Sequence, residues 1–344
     1  MRRHALGWLL GASLCLVACG TTDDLYPTVP DDPYPSDVYT FPGDDDYPNP
    51  SATSSATPAP VEGESPSGNG SVLPNDFYRY IGERPFVKSL YQPRALAAFG
   101  NDVLVADGNR TDPMGAYGAL FQFDADGSDA ALPIGSPYLT LNGTGGRLAA
   151  SVKGVAVSPQ VVYALDDNGV YGFMRDSHHA VNLGAPYAST GRDIVAAKDT
   201  VYVARDAQIS AYSVVNFAPI ASLSVNVAAR GVGSDATGRL YAATSAGVVR
   251  YDEGQEALVF DGRGADRQGP GFDSVRDVAV DPRNGDIYAL DVQAVLRFDS
   301  SGRFLSRFGT TLIQGGSSIA VAENGTVFVL DAATNKVLQF KQSP

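Results

Sequence analysis

Residues 275–309, VRDVAVDPRNGDIYALDVQAVLRFDSSGRFLSRFG, decide the fold. The stretch reads as four short strands in succession. VAV (278–280) is followed by a turn at Asn284-Gly285 and IYAL (287–290) by a short loop. VLRF (295–298) leads to a second turn at Ser301-Gly302, and FLSRF (304–308) closes the unit. Apolar and polar residues alternate, β-branched and aromatic residues are frequent, and Asn-Gly and Ser-Gly stand where hairpins reverse. A four-stranded meander of this kind cannot bury both faces alone, so the unit is expected to recur.

It recurs from Pro93 onward. The inner-strand signature reads Arg94-Ala95-Leu96-Ala97, Lys153-Gly154-Val155-Ala156, Arg192-Asp193-Ile194-Val195, Arg230-Gly231-Val232-Gly233, Arg276-Asp277-Val278-Ala279 and Ser317-Ser318-Ile319-Ala320. Second strands follow, ending at Asp107, Asp166, Arg205, Thr244, Asp291 and Asp331, and then third strands such as ALFQF (119–123) and VVRYD (248–252). Fourth strands are readable after the first five repeats, IASLS (220–224) and ALVFD (257–261) among them. The spacings of 59, 39, 38, 46 and 41 residues, with four strands per repeat, predict an all-β, six-bladed β-propeller of four-stranded blades. The sixth repeat lacks a fourth strand, and an orphan strand, Phe77-Tyr78-Arg79-Tyr80-Ile81, lies upstream of the first. That strand is expected to complete the last blade and close the ring, which also pairs the exposed sheet edges.

The beginning of the chain has another character. MRRHALGWLLGASLCLVACG has a basic start, an apolar run from Ala5 to Ala18 and then small residues, the pattern of an export signal. Leu16-Val17-Ala18-Cys19 resembles the lipobox of bacterial lipoproteins, which implies cleavage before Cys19 and attachment of lipid to its thiol. Cys15 would leave with the signal, so no thiol pair remains for a disulfide. From Gly20 to about Ser71 the chain is rich in Pro, Ser, Thr and Asp, has ten acidic residues and contains no Lys or Arg. It cannot bury enough apolar surface to fold. Asp-Asp-x-Tyr-Pro recurs within it at Asp23–Pro27, Asp31–Pro35 and Asp44–Pro48. The expected organisation is a signal peptide over 1–18, an acidic tether over 19–73 and the propeller over 74–344. Most of the formal charge of −13 sits in the tether, so the folded part is only mildly acidic and a nucleic-acid partner is not expected.

The sequence from Gly269-Pro270-Gly271-Phe272 to Phe308-Gly309 is similar to NHL-repeat propellers, and the resemblance extends over about 76–344. Repeats two, three and four depart from it, lacking the second-strand Asp, the final Gly or both. The resemblance implies a binding platform for protein or nucleic acid or, in some relatives, a lyase. It does not choose among these.

Candidate site residues come from the repeat itself. Arg94, Lys153, Arg192, Arg230 and Arg276, with Ser317 sixth, hold equivalent positions and should ring one mouth of the channel. The last residue of each second strand returns beside this ring. Intrablade pairs Arg94–Asp107, Lys153–Asp166 and Arg276–Asp291 are therefore expected. In blades three and four the partner positions hold Arg205 and Thr244. That leaves Arg192, Arg205 and Arg230 as a cluster suited to a carboxylate or phosphate, with Asp193 and Asp206 available to neutralise it in part. Long insertions at Gly108–Tyr117, Gly135–Ser151 and Arg263–Ser274 share this face, where Tyr117, Tyr138, Arg147 and Phe272 are candidate contacts.

Other motifs carry less chemistry. The glycines of Gly262-x-Gly264 and Gly269-Pro270-Gly271 precede a strand rather than a helix, so they form a blade-connecting loop and not a phosphate cradle. His178-His179 falls at a turn on the opposite edge, with no third His or Cys to complete a metal site. Lactonase-like propellers hold calcium with Glu, Asn and Asp at the channel, whereas the corresponding positions here are basic. No cofactor is expected. The leading expectation is a non-enzymatic, monomeric, lipid-anchored protein of the bacterial cell envelope. It would be held to the membrane through Cys19 and would bind a protein, an anionic glycan or a lipid headgroup on the loop-rich face. The alternative is a propeller enzyme, a lyase or lactonase, with its site in the central channel.

Overall fold

The computed structural model describes residues 78–83, 90–112, 115–123, 148–178, 180–181, 183 and 191–342. The expected signal peptide, the tether and Cys19 lie outside these residues, as do Tyr138 and Arg147. The repeats fold into six antiparallel sheets. Blade one comprises Gln92–Phe99, Asp102–Asp112 and Gly115–Phe123. Blade two comprises Gly154–Val157, Val161–Leu165, Val170–Met174 and Ala180–Val181. Blade three has Asp193–Ala197, Thr200–Ala204 and Ile209–Ser213. Blade four has Gly231–Ser234, Leu240–Thr244, Gly247–Asp252 and Gln255–Phe260. Blade five has Asp277–Val280, Ile287–Leu290, Val295–Phe298 and Phe304–Phe308. Blade six has Gly316–Val321, Val327–Asp331 and Lys336–Gln342, completed by Tyr78–Glu83.

The first strand of each blade touches the first strands of both neighbouring blades, and blade six returns to blade one. The fold is a six-bladed β-propeller. Its closing strand is the upstream one expected from the sequence: Tyr78 pairs with Gln342, and the register runs antiparallel to Glu83 opposite Leu338.

The core is divided into six apolar clusters, one in each gap between neighbouring blades. A large side chain three residues before the end of each second strand supplies much of it: Leu104, Tyr163, Tyr202, Tyr241, Tyr288 and Phe328, all buried. Burying one such side chain contributes about 1.5–3 kcal/mol. The second strands are covered on both faces, so Ile287–Leu290 is buried at every position, while the outer strand Phe304–Phe308 is only partly so. Closure has its own anchor. Tyr78 stacks on Phe308 at 4.4 Å and hydrogen-bonds to the hydroxyl of Tyr288, next to the buried Arg297–Asp286 ion pair.

One blade departs from the expected four regular strands among the described residues. In blade three, IASLS is not a strand; Ala221–Leu223 is a 3-10 turn. Phe217, at a φ of 54°, turns inward to stack on Tyr212 at 4.6 Å. The segment then meets Ile209–Ser213 through the isolated bridges Tyr212–Pro219 and Ile209–Val225, with the Ser224 hydroxyl accepting from Ala211 N–H between them. In blade one the fourth-strand position falls outside the described residues. The Gly108–Tyr117 insertion there is not a loose loop. After an irregularity between Asp107 and Arg110 it continues as a hairpin, with Arg110 opposite Tyr117.

Candidate functional site at the channel mouth

Backbone register fixes the ring of first-strand residues. The N–H of Lys153, Arg192, Arg230 and Arg276 donates to the carbonyl of Leu165, Ala204, Ala243 and Leu290, the residue just before the end of each second strand. Arg94 and Ser317 sit at the irregularities between Pro93 and Ala95 and between Gly316 and Ser318. All six therefore share one end of the channel, as the repeat predicted.

The expected pairing with the second-strand carboxylates is corrected. Asp107, Asp166, Asp291 and Asp331 are fully or almost fully buried, and their oxygens go to backbone amides of the loop that enters the same blade. Asp107 accepts from Tyr91 and Gln92 N–H, and Asp166 from Ala149 N–H at 2.7 Å. Asp291 accepts from Asp273 and Ser274 N–H, and Asp331 from Gln314 and Gly315 N–H. Buried amides without a partner are costly, and a carboxylate that accepts two of them at once is well satisfied without a side-chain cation. Where charge is paired, the partners are others: Asp107 with Arg110, and Lys153 with Asp167. The Asp167 carboxyl is held below its usual range by bonds from Lys153 and Ser151.

The arginines consequently stay at the surface. Among the described residues, Arg94 and Arg276 are exposed and have no acidic partner. Arg192 pairs with Asp206 at 2.8 Å, both groups more than half exposed, so the pair contributes little. Arg230 donates to the Ser274 hydroxyl and, at 3.4 Å, to the Val275 carbonyl. A cavity of about 450 Å³ opens between blades three and six, lined by Arg192, Arg230, Arg276, Val292 and Gly315–Ser317. Arg205 is not part of this lining. It is half-buried and donates to the Tyr212 hydroxyl at 2.5 Å. The structure thus brings Arg276, rather than Arg205, together with Arg192 and Arg230.

The other candidate contacts also move. Tyr117 is buried, and Phe272 packs edge-on against Phe298 at 6.0 Å. The Arg263–Ser274 connection closes on itself through Gly269 N–H to the Arg263 carbonyl and Gly271 N–H to the Gly262 carbonyl. His178 lies in the turn after Val170–Met174, at the blade end remote from Asp166; His179 lies outside the described residues. No group of three His, Cys, Asp or Glu side chains able to hold a metal is found among the described residues.

Inside the channel is a feature that sequence reasoning missed. The residue after each ring position faces the neighbouring blade, and three of these reach across to the next first strand. Asp193 accepts from Val232 N–H at 2.7 Å, and Asp277 from Ile319 N–H and the Ser318 hydroxyl, both at 2.9 Å. Ser318 Oγ accepts from Leu96 N–H at 3.1 Å. Gly231 lies between the two acids: a Cβ there would come within 2.3 Å of Asp277 Oδ1. Both acids line a channel cavity of about 410 Å³. Burial pushes the Asp277 carboxyl up to about 6, its amide and hydroxyl donors opposing the rise only in part. Asp193 is raised as well, by burial and then by the charge of Asp277. The available signal was that Asp follows Arg only in repeats three and five, with Gly at this position in repeat four between them.

No protein-family model matches the chain, and no curated protein is found similar to it. Among solved structures, hydrazine synthase from Kuenenia stuttgartiensis is similar at 12% identity and a TM-score of 0.49, over 76% of this chain and 98% of that one. Likeness at that level carries no argument about activity. What the molecule does has to be read from the mouth and channel of its six-bladed propeller.

Proposed function

We propose that this chain is a non-enzymatic binding protein of the bacterial cell envelope. In this reading an NHL-type propeller is lipid-anchored through Cys19 and works as a monomer. It captures an anionic group, from a glycan, a lipid headgroup or an acidic protein segment, at one mouth of its channel. The observation that carries the reading is the cavity with Arg192, Arg230 and Arg276 on its rim. Arg276 has no acidic partner among the described residues, because Asp291 commits its oxygens to loop amides. Guanidiniums repel one another until an anion bridges them, and their planar fork matches carboxylate and phosphate.

The test is the melting temperature of the full-length chain against sulfate, phosphate, carboxylated glycans and acidic lipids at low and moderate salt. The variant Arg192→Ala/Arg230→Ala/Arg276→Ala runs alongside. A ligand that binds only the folded state raises the melting temperature by mass action. A salt-sensitive rise absent from the triple variant supports the reading; no rise, or an equal rise in the variant, overturns it. Anchoring is checked separately, since Cys19→Ser should abolish labelling of the protein by radioactive fatty acid.

The alternative, a channel lyase or lactonase, gains one observation in the Asp193–Asp277 pair, an acid–base candidate inside the cavity. Both carboxylates are engaged by backbone donors of neighbouring strands, which favours the binding reading.

A further inference from the structure

Asp193 and Asp277 lie on the first strands of blades three and five, each one residue inside the ring from Arg192 and Arg276. A strand advances about 3.3 Å per residue, so the acids sit a single step below the rim guanidiniums. Both flank the same peptide of blade four: Asp193 is bonded to Val232 N–H, while Asp277 Oδ1 lies where a side chain on Gly231 would stand. Neither carboxylate forms an ion pair among the described residues, and a hydrogen-bonded Ser318 is the only polar side chain that reaches either of them there.

We propose that Asp193 and Asp277 share a proton beneath the channel mouth, and that its loss weakens anion capture at Arg192, Arg230 and Arg276. This rests on the anion-binding reading above and adds its regulation. Two carboxylates flanking one peptide, without a cation between them, do not both ionise freely, and they titrate as a pair. Burial works in the same direction for both, and places Asp277 near 6. The charged groups at this end include Arg94 of blade one, Lys153 of blade two with Asp167, Arg192 of blade three with Asp206, Arg230 of blade four and Arg276 of blade five, with Asp107, Asp166, Arg205, Asp291 and Asp331 at the second-strand ends behind them. At the far end of the channel stand Lys198, Asp235 and Glu323. Burial raises the carboxyls of Asp193, Asp277 and the blade-two residue Asp166, and of these only Asp193 and Asp277 lie one residue from Arg192 and Arg276. With the proton present, the arginines face one negative charge; without it they face two, and an incoming anion is repelled by both.

The probe is sulfate, whose own charge is constant across this range. Its affinity for the full-length chain is measured by calorimetry at pH 5.5 and 7.5, beside carboxyl ¹³C titration of both aspartates without ligand. One extra charge a few ångströms from the bound anion, at the effective dielectric of a protein surface, predicts about five- to tenfold tighter binding at the lower pH. The Asp277→Asn variant, which removes the carboxyl that burial raises to about 6, should bind with little pH dependence. Asp193→Asn, which loses a charge but keeps an acceptor for Val232 N–H, leaves Asp277 to titrate and should keep part of the dependence. If both carboxyls titrate in the ordinary range near 4, the proposal is overturned whatever sulfate does. If one titrates near neutrality but sulfate binds equally at both pH values, the shared proton stands, its link to capture is overturned, and the anion-binding reading survives. Sulfate binding at neither pH overturns the coupling through the failure of the anion-binding reading itself, and the ligand-free titration tells the two apart.

Discussion

Blades five and four differ by one residue at the end of the second strand, Asp291 against Thr244. In blade five the carboxylate gathers Asp273, Ser274 and Val292 N–H, so the incoming loop and the turn after the second strand share one acceptor. Blades one, two and six repeat the device. In blade four the hydroxyl of Thr244 serves only its own turn, accepting from Ala246 N–H and donating to the Gly247 carbonyl. In blade three Arg205 reaches along its own sheet to Tyr212 instead. The repeated Asp is thus a clasp for the loop that enters its blade. Because it is occupied in that way, Arg94 and Arg276 beside it have no acidic partner among the described residues, while Lys153 turns to Asp167.

The largest effect should follow from removing a clasp. Asp291→Ala leaves three backbone donors in a buried corner without a partner and should cost about 3–5 kcal/mol. The urea midpoint reads this directly. Asp291→Asn, which keeps one oxygen, should recover part of the loss.

The next contrast is between the clasps and the channel acids, which serve a different seam of the molecule. The folded Asp277 carboxyl is raised from 3.8 to about 6, so the native state holds a proton that the unfolded chain releases earlier. Its contribution is fully present below pH 4 and is lost as pH rises through 6, which amounts to about 3 kcal/mol. Stability should therefore fall between pH 4 and 7 in the ligand-free protein, and the slope should flatten in Asp277→Asn. A slope of the opposite sign in this window would show that the pair is not protonated in the fold.

A smaller effect tests the blade that lacks a clasp. Thr244→Ala removes one turn bond in each direction and should cost about 1 kcal/mol. If it costs as much as Asp291→Ala, the distinction between the two kinds of blade is broken.

These contrasts show what the sequence could and could not convey. Blade number, order and closure were legible because each blade buries its aromatic or aliphatic residue at the same offset from the strand end, from Leu104 to Phe328. The closing strand was legible because blade six lacked a partner for Lys336–Gln342. The fourth position of blade three was not: IASLS has strand composition, but inward packing of Phe217 and the 3-10 turn at Ala221–Leu223 override it. The ring of basic residues was legible from periodicity, while the partners of the carboxylates were not. Spacing along a hairpin sets Arg276 and Asp291 side by side, but loop amides that no residue type reveals compete for the oxygens and win. Asp193 read as a neutraliser of nearby arginines for the same reason. Asp206 does pair with Arg192, but Asp193 turns toward blade four, where Val232 N–H awaits an acceptor.

The smallest expected effect bears most directly on function. Arg192, Arg230 and Arg276 are exposed, and the bonds they make are to an exposed acid, a hydroxyl and a carbonyl at 3.4 Å. Replacing any one of them by Ala should change stability by less than about 0.5 kcal/mol, against several for the Asp291 clasp beside Arg276. The urea midpoint of each single variant measures this. A scaffold role for the arginines predicts the reverse, a loss comparable with that of Asp291→Ala, because the ring would then be tying blades together. Near-neutral single variants combined with a lost response to sulfate would separate the two halves of the Arg276–Asp291 position: the acid holds the loop in place, and the base faces outward for a ligand.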